Sequence, residues 1–245
     1  MTRHAAVAAA VLAVLLAAPG RAEQTPPRHH SMTVLSSVPT QEKVVALTID
    51  LGESATRASC EKLLQWLKTH KIRATFFVTG WFVRTLPDLA KRLRTDGHEI
   101  GNHTDTHPHC PRVSDERLRE ELHNVEELLR RQGLAVSEPR YFRPPFGEYN
   151  ARTVRVAGEL GYRTVMWSAT TVDYTARGNA DRAANAILRY VRPGGIILTH
   201  ATGVSAAMVP QVVTRLQAKG YAVVTLGELV ERGKSASTGA AAGAR

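Results

Sequence analysis

Five short apolar runs limit what this 245-residue chain can build. They are Val44-Val45-Ala46-Leu47-Thr48-Ile49, Ala74-Thr75-Phe76-Phe77-Val78, residues 162–167, Gly195-Ile196-Ile197-Leu198 and residues 221–226. Each has strand length and no polar face, the pattern of a strand covered on both sides. Between them lie segments with helical spacing: Leu63, Leu64 and Leu67, then Leu89 and Leu93, then Leu118, Leu122, Val125, Leu128 and Leu129. Ser114 is placed to cap the third of these and Gly133 to end it. The turns Asp96-Gly97, Pro193-Gly194-Gly195 and Lys219-Gly220 deliver the chain into the next strand. Strand–helix alternation repeated about seven times argues for one parallel α/β sheet, closed as a barrel or open and doubly wound. No glycine-rich phosphate loop follows any strand, which counts against a nucleotide-binding version. At 43% hydrophobic and 22% charged residues, the chain has enough apolar material for such a core.

The two ends stand apart from this pattern. Arg3 and His4 precede an apolar run over residues 5–18, and Gly20-Arg21-Ala22 is a small-residue cleavage site. Residues 1–22 therefore read as a secretory signal peptide, too short for a comfortable membrane span. No cysteine follows the run to carry a lipid. Residues 23–42 are polar and proline-bearing and read as a tether, and the small-residue stretch 233–245 as a disordered tail. One domain, residues 43–232, remains. The expected product is an exported protein of the cell envelope with no stable membrane insertion, and a monomer. Loss of Arg3 and Arg21 with the signal removes two charges and no acid, taking the formal net charge from +10 to +8. An exported protein so charged suits an anionic wall or membrane surface, whereas nucleic acid is a poor partner there and no basic patch with interleaved aromatics is present. Cys60 and Cys110 either pair in that compartment or are two buried thiols; two cysteines alone do not decide.

Chemically capable residues fall where these strands end. Asp50 closes the first run; His103 and His107 follow His98-Glu99-Ile100; Arg143 follows Tyr141-Phe142; Asp173 and Tyr174 come after Trp167; His200 closes Ile196-Ile197-Leu198-Thr199. A parallel β/α barrel gathers its active site at the carboxyl ends of its strands. Singly, Asp50 would be a helix cap, His200 a structural histidine and Arg143 an ion-pair residue. Together they form a pattern. The two histidines, four apart on a helical or turn-like segment, face the same side and suit one divalent ion. No glutamate base lies between them, so the base must come from elsewhere.

The joint pattern resembles the polysaccharide deacetylases, the NodB-homology fold of carbohydrate esterase family four, over residues 43–230. Leu47-Thr48-Ile49-Asp50-Leu51-Gly52 is similar to the first family motif, His103-Thr104-Asp105-Thr106-His107 to the second and Arg143-Pro144-Pro145-Phe146-Gly147 to the third. Trp167 through Asp173-Tyr174 is similar to the fourth, and Leu198-Thr199-His200 to the fifth. The resemblance implies an irregular (β/α)7 barrel and a hydrolase removing N-acetyl groups from glycan. It implies a divalent ion on His103 and His107, Zn²⁺ with Co²⁺ or Mn²⁺ as alternatives, polarising the acetamide. Asp50 would be the general base, oriented by Arg143, and His200 the general acid, held by Asp173. The backbone N–H of Phe146, the first donor after Pro144 and Pro145, would stabilise the oxyanion, with Pro145 beside it. Trp167 and Leu198 would line the acetyl pocket.

One departure matters. The family's first motif carries a second aspartate as metal ligand, and Leu51 stands there. Three outcomes follow: two histidines hold the ion weakly with water, or Glu53, His109 or Cys110 substitutes, or metal and activity are lost together. Muramic-acid deacetylases resemble this chain in lacking that aspartate and in the Trp-Ser-x-x-x-x-Asp form of the fourth motif, which points to peptidoglycan. Chitin oligomers or acetylated xylan are the alternative substrates, and a silent glycan-binding protein is the alternative to an enzyme.

Overall fold

The structure, a computed structural model, describes residues 33–170 and 179–242, with side chains through Ser235. The expected signal peptide and Asp173 with Tyr174 lie outside the described residues. The longest strand, β1 (Val44–Leu51), is buried at all eight positions, as its apolar run requires. Parallel neighbours flank it: β2 (Thr75–Val78), then β3 (Glu99–Asn102), β4 (Tyr141–Phe142) and β5 (Arg163–Thr164) on one side, β7 (Gly195–His200) and β6 (Ala169–Thr170) on the other. The eighth strand, β8 (Ala222–Val224), pairs with the first half of β1. This is the curled, all-parallel sheet of an irregular β/α barrel, and it forms a single domain. The helices α1 (Arg57–Thr69), α3 (Pro87–Thr95), α4 (Asp115–Arg131), α6 (Ala180–Tyr190) and α7 (Gly203–Ala218) follow strands in the expected alternation, with the short α2 (Gly80–Thr85) before α3 and α5 (Ala151–Glu159) before β5. Ser114 caps α4 as its position predicts, accepting the Arg117 N–H at 3.1 Å.

Strand periodicity divides β1 between two cores. Val45, Leu47, Ile49 and Leu51 face a layer that includes Leu63, Leu64, Leu67, Leu89 and Leu93 of α1 and α3. Val44 and Ala46 face inward with Phe77, Tyr141, Val165 and Ile196. Asp50 shares the inward parity; Leu51 does not.

Several expectations change at the edges. The run at residues 162–167 yields only the two residues of β5, because Val165 turns to pair with Leu35. The expected tether is docked over its second half: Ser37 bridges Gly195, the Val38 N–H donates to the Gly194 carbonyl at 2.8 Å, and Val38 is buried. The helix α8 (Leu226–Ala242) runs through most of the segment read as a disordered tail. It is fastened at its start, where the Gly227 N–H donates to buried Glu99 at 3.1 Å and the Leu226 N–H to Thr75 Oγ1 at 2.8 Å. A Cβ on Gly227 would fall 2.5 Å from a Glu99 side-chain oxygen, so a larger residue here would displace that carboxyl group from its bonds. Cys60 and Cys110 are both buried and free, in different apolar clusters, so the disulfide alternative is not realised.

His98 begins the turn into β3 and is 2% exposed, its Nδ1 accepting the Ala74 N–H at 3.3 Å. Burial pushes its pKa from 6.5 down to about 4, only partly opposed by Asp96. The unfolded chain therefore binds the extra proton first as pH falls, so the stability this neutral ring supports is present above pH 6.5 and lost on descent to about 4. Over that window wild type should lose about 3 kcal/mol more than a His98→Gln variant, read as urea-unfolding free energy against pH.

Candidate active site

Asp50 emerges one residue before the end of β1, directed inward and 4% exposed. The Arg143 guanidinium, fully buried, donates from Nη1 to Asp50 Oδ1 at 2.8 Å. Its Nη2 donates to the Met166 carbonyl at 3.1 Å, and its plane lies over the Phe77 ring at 4.2 Å. Trp167 is on another side at 5.8 Å. Arg143 is therefore held by β2, by the chain after β5 and by Asp50 itself. Burial raises the Asp50 pKa, but Arg143 first, then His103 and His200, more than offset it, and the carboxyl stays below its ordinary range. A buried aspartate is thus ionised at neutral pH.

The His103–His107 segment is a loop, not a helical turn. Thr104 and His107 have φ of +69° and +57°, the left-handed region that non-glycine residues rarely adopt. The histidines meet through this bend, with ring centroids 5.0 Å apart. The bend is fixed by polar groups that sequence reasoning missed. Glu121, fully buried on α4, accepts the Thr106 N–H at 2.7 Å and its hydroxyl at 2.6 Å. Asp105 is held by Arg84 at 2.5 Å and Asn124 at 3.1 Å. Asn102 accepts the Thr104 N–H while donating to the Leu122 carbonyl and the Tyr162 hydroxyl, each at 2.9 Å. One signal was available: Glu121 occupies the same helical stripe as Leu118, Leu122 and Val125, a position where a solvated glutamate would not sit.

His103 Nδ1 lies 2.7 Å from the Arg143 carbonyl, which can only accept, so this nitrogen carries the proton. Its other nitrogen presents a lone pair 3.6 Å from Asp50 Oδ2. Two acceptors opposed at that distance call for a proton or a cation between them. Burial holds His103 below the usual imidazole range despite the pull of Asp50, and takes His107 down to about 4 with His103 beside it. Both rings are therefore neutral and able to ligate. In this respect the residues fit a divalent ion. The third ligand is where they fall short: among the described residues no three His, Cys, Asp or Glu side chains converge as a metal-binding group. Leu51 packs in the helix-facing layer. Cys110 is in a separate apolar cluster, its thiol pushed up to about 12 by burial. His109 is bonded through Nδ1 to Glu148 Oε2 at 2.8 Å, and Glu53 is exposed.

The remaining expected residues lie around this centre. His200 ends β7 opposite Asp50 in the strand register, and Leu198 precedes it by two on the same face, buried. Pro145 is buried, while the Phe146 ring is 56% exposed at the rim, against His107 at 4.6 Å. Phe146 has φ +60°. The N–H groups of Gly147 and Glu148 return to the Pro144 and Pro145 carbonyls at 3.2 and 3.1 Å. Gly147 presses on Trp167, where a Cβ would meet the indole at 2.7 Å.

The fold and this cluster define a barrel with a carboxylate–arginine pair, two neutral histidines and a further histidine at the carboxyl end of its sheet. The sequence profile of the polysaccharide deacetylases matches residues 37–165. A peptidoglycan-N-acetylglucosamine deacetylase of Bacillus cereus is 34% identical over 203 residues, 81% of this chain and 72% of that protein. The peptidoglycan-N-acetylmuramic acid deacetylase PdaA of Bacillus subtilis is 33% identical over 195 residues, 78% and 73% of the two. Its solved structure aligns with TM-score 0.75 at 30% identity, covering 82% of this chain and 86% of that one. A family-four carbohydrate esterase pseudoenzyme from Bacillus anthracis aligns with TM-score 0.76 at 28% identity, covering 82% and 70%. The chain belongs to the polysaccharide deacetylase family, carbohydrate esterase family four.

Removing Arg143 would strand the Asp50 charge in a buried site. Arg143→Met should cost about 3–5 kcal/mol in urea unfolding, and Asp50→Asn in the same background should recover part of that loss.

Proposed function

We propose that this protein is an exported hydrolase that removes N-acetyl groups from cell-wall glycan, with N-acetylmuramic acid or N-acetylglucosamine of peptidoglycan as the substrate sugar. The observation that carries this reading is the ionised, buried Asp50 held by Arg143 and facing the free nitrogen of His103. The relatives named for peptidoglycan deacetylation support the substrate class, and the signal-like residues 1–22 support export. No helix among the described residues is long and apolar enough to cross a membrane.

His103 and His107 would hold a divalent ion, Zn²⁺ foremost, which supplies Lewis acidity toward the acetamide carbonyl. Asp50 accepts the proton of the attacking water at the oxygen not bonded to Arg143. Arg143 keeps that carboxylate ionised and aimed. The Phe146 N–H meets the oxyanion as it forms. His200 donates a proton to the departing amine, and Asp173 is assigned as its partner. Leu198, Trp167 and Pro145 shape the pocket that takes the acetyl methyl and excludes water.

Purified protein incubated with N-acetylated peptidoglycan and Zn²⁺ should release acetate. Asp50→Asn should abolish release while the circular dichroism spectrum is retained. His103→Ala should lower metal affinity by about 10-fold or more. Acetate release unaffected by either substitution would remove the assignment.

That no third ligand converges among the described residues favours one second reading, a catalytically silent glycan-binding protein of the same fold. The two readings separate on Leu51→Asp. An active wild type means that a carboxylate at position 51 is not needed. An inactive wild type whose Leu51→Asp variant gains both stoichiometric metal and acetate release is a disabled family member.

A further inference from the structure

We propose that His109 is a positioning residue that clasps Phe146 in its strained conformation, and not the replacement metal ligand. This rests on the deacetylase reading above. The observations concern two loops, residues 107–109 and 146–148. Phe146 has φ +60° and ψ 2°, a conformation that a bulky L-residue keeps only where its surroundings enforce it. The His109 ring stacks on the Phe146 ring with centroids 4.3 Å apart and planes 16° from parallel. His107 abuts another side of the same ring edge-on, at 4.6 Å and 68°. Glu148, two residues beyond Phe146, accepts a hydrogen bond from His109 Nδ1 at 2.8 Å. His109 is thus joined to residues on both sides of Gly147, by a stack and by a hydrogen bond.

The clasp has one mechanical consequence. Phe146 is exposed at the rim, so no apolar core fixes its ring; what fixes it is the pair of imidazoles. The ring torsions and the left-handed backbone are linked, so holding the ring holds the peptide plane before it. That plane carries the N–H assigned to the oxyanion. An oxyanion donor must sit where charge develops, and small displacements there are costly in rate. His109 acts through Phe146 and touches neither substrate nor ion. Among the described residues His109 belongs to no converging group of three ligating side chains, and its ring face is covered by Phe146.

The test compares His109→Ala, His109→Phe and Glu148→Gln in the full chain. Zn²⁺ and Co²⁺ affinity are measured by calorimetry beside deacetylation kinetics. His109→Ala should lower kcat by about 10-fold with KM nearly unchanged, the signature of a contact made in the transition state. His109→Phe restores the stack without any ligating atom, and should recover most of kcat with metal affinity equal to wild type. Glu148→Gln, which still offers an acceptor oxygen, should fall between. Metal affinity that collapses in His109→Phe to the level expected for His103→Ala would overturn the proposal in favour of ligation. So would a His109→Phe enzyme as slow as His109→Ala. Should the wild type prove inactive, the deacetylase reading fails on its own. The clasp is then judged by unfolding of His109→Ala, Phe146→Ala and the double variant. Non-additive midpoints support it and strictly additive ones reject it.

Discussion

The ion pair between Arg143 and Asp50 is the constraint on which the site depends. Neither group would be tolerated alone where it stands, since a single charge without a partner in a buried site is heavily penalised. The pair ties β1 to the end of β4, and Arg143 also reaches the Met166 carbonyl beyond β5. Strand ends far apart in sequence are thereby locked to one level of the sheet. Each remaining polar group is then placed relative to that lock. The Arg143 carbonyl sets the His103 tautomer, the residues after Arg143 form the Phe146 turn, and β7 brings His200 into register with Asp50. The arginine thus orients Asp50 through its side chain and His103 through its backbone.

A second layer of buried polar groups carries the strain. Thr104, His107 and Phe146 all adopt left-handed φ, and all three belong to the loops around the centre. Such conformations cost on the order of 1–3 kcal/mol each and persist when neighbours over-determine them. Here the neighbours are Glu121, Asp105 and Asn102 under the first loop, and the His107 and His109 rings against Phe146 in the second. Glu121 in particular is a buried carboxylate whose oxygens are taken by Thr106 and by Arg117 at 2.5 Å, so α4 serves as a scaffold for the histidine loop.

The sequence disclosed the barrel because its longest strands are buried on both faces and therefore read as unbroken apolar runs. For β1 and β7 the runs and the strands nearly coincide. For β4, β5 and β6 the strands are two residues long, too short for any periodic signal. The candidate site residues stood out through position, since Asp50, Arg143 and His200 each close or follow a strand. What could not be read was conformation. The four-residue spacing of His103 and His107 invites a helix, and the structure reaches the same proximity by two left-handed residues. Tail and tether were misread for a related reason. Small and polar residues look unstructured until a partner surface is known, and here Glu99, Thr75 and the strand ends at Val165 and Gly195 provide one.

Leu51 gains physical meaning from sheet parity. Pairing of β1 with β2 runs through Leu51, opposite Val78, so this residue lies in regular strand and points away from Asp50. Its side chain is 1% exposed among the leucines that join sheet to helices, burial that contributes about 1.5–3 kcal/mol. A carboxylate at this position would give up that packing, and it could turn toward the histidines only by ending the strand one residue sooner. The leucine therefore does more than delete a ligand: it extends β1 and strengthens the outer core while leaving the inner face with two imidazoles and one aspartate. Among the described residues no third ligand converges there, so an ion on that face would draw on Asp50 or on water. On the proposed mechanism, either case places more of the rate on the groups that do not depend on the ion, namely Asp50 and the amide of Phe146. The buried arginine bonds Asp50, and two imidazole rings pack against the side chain of Phe146.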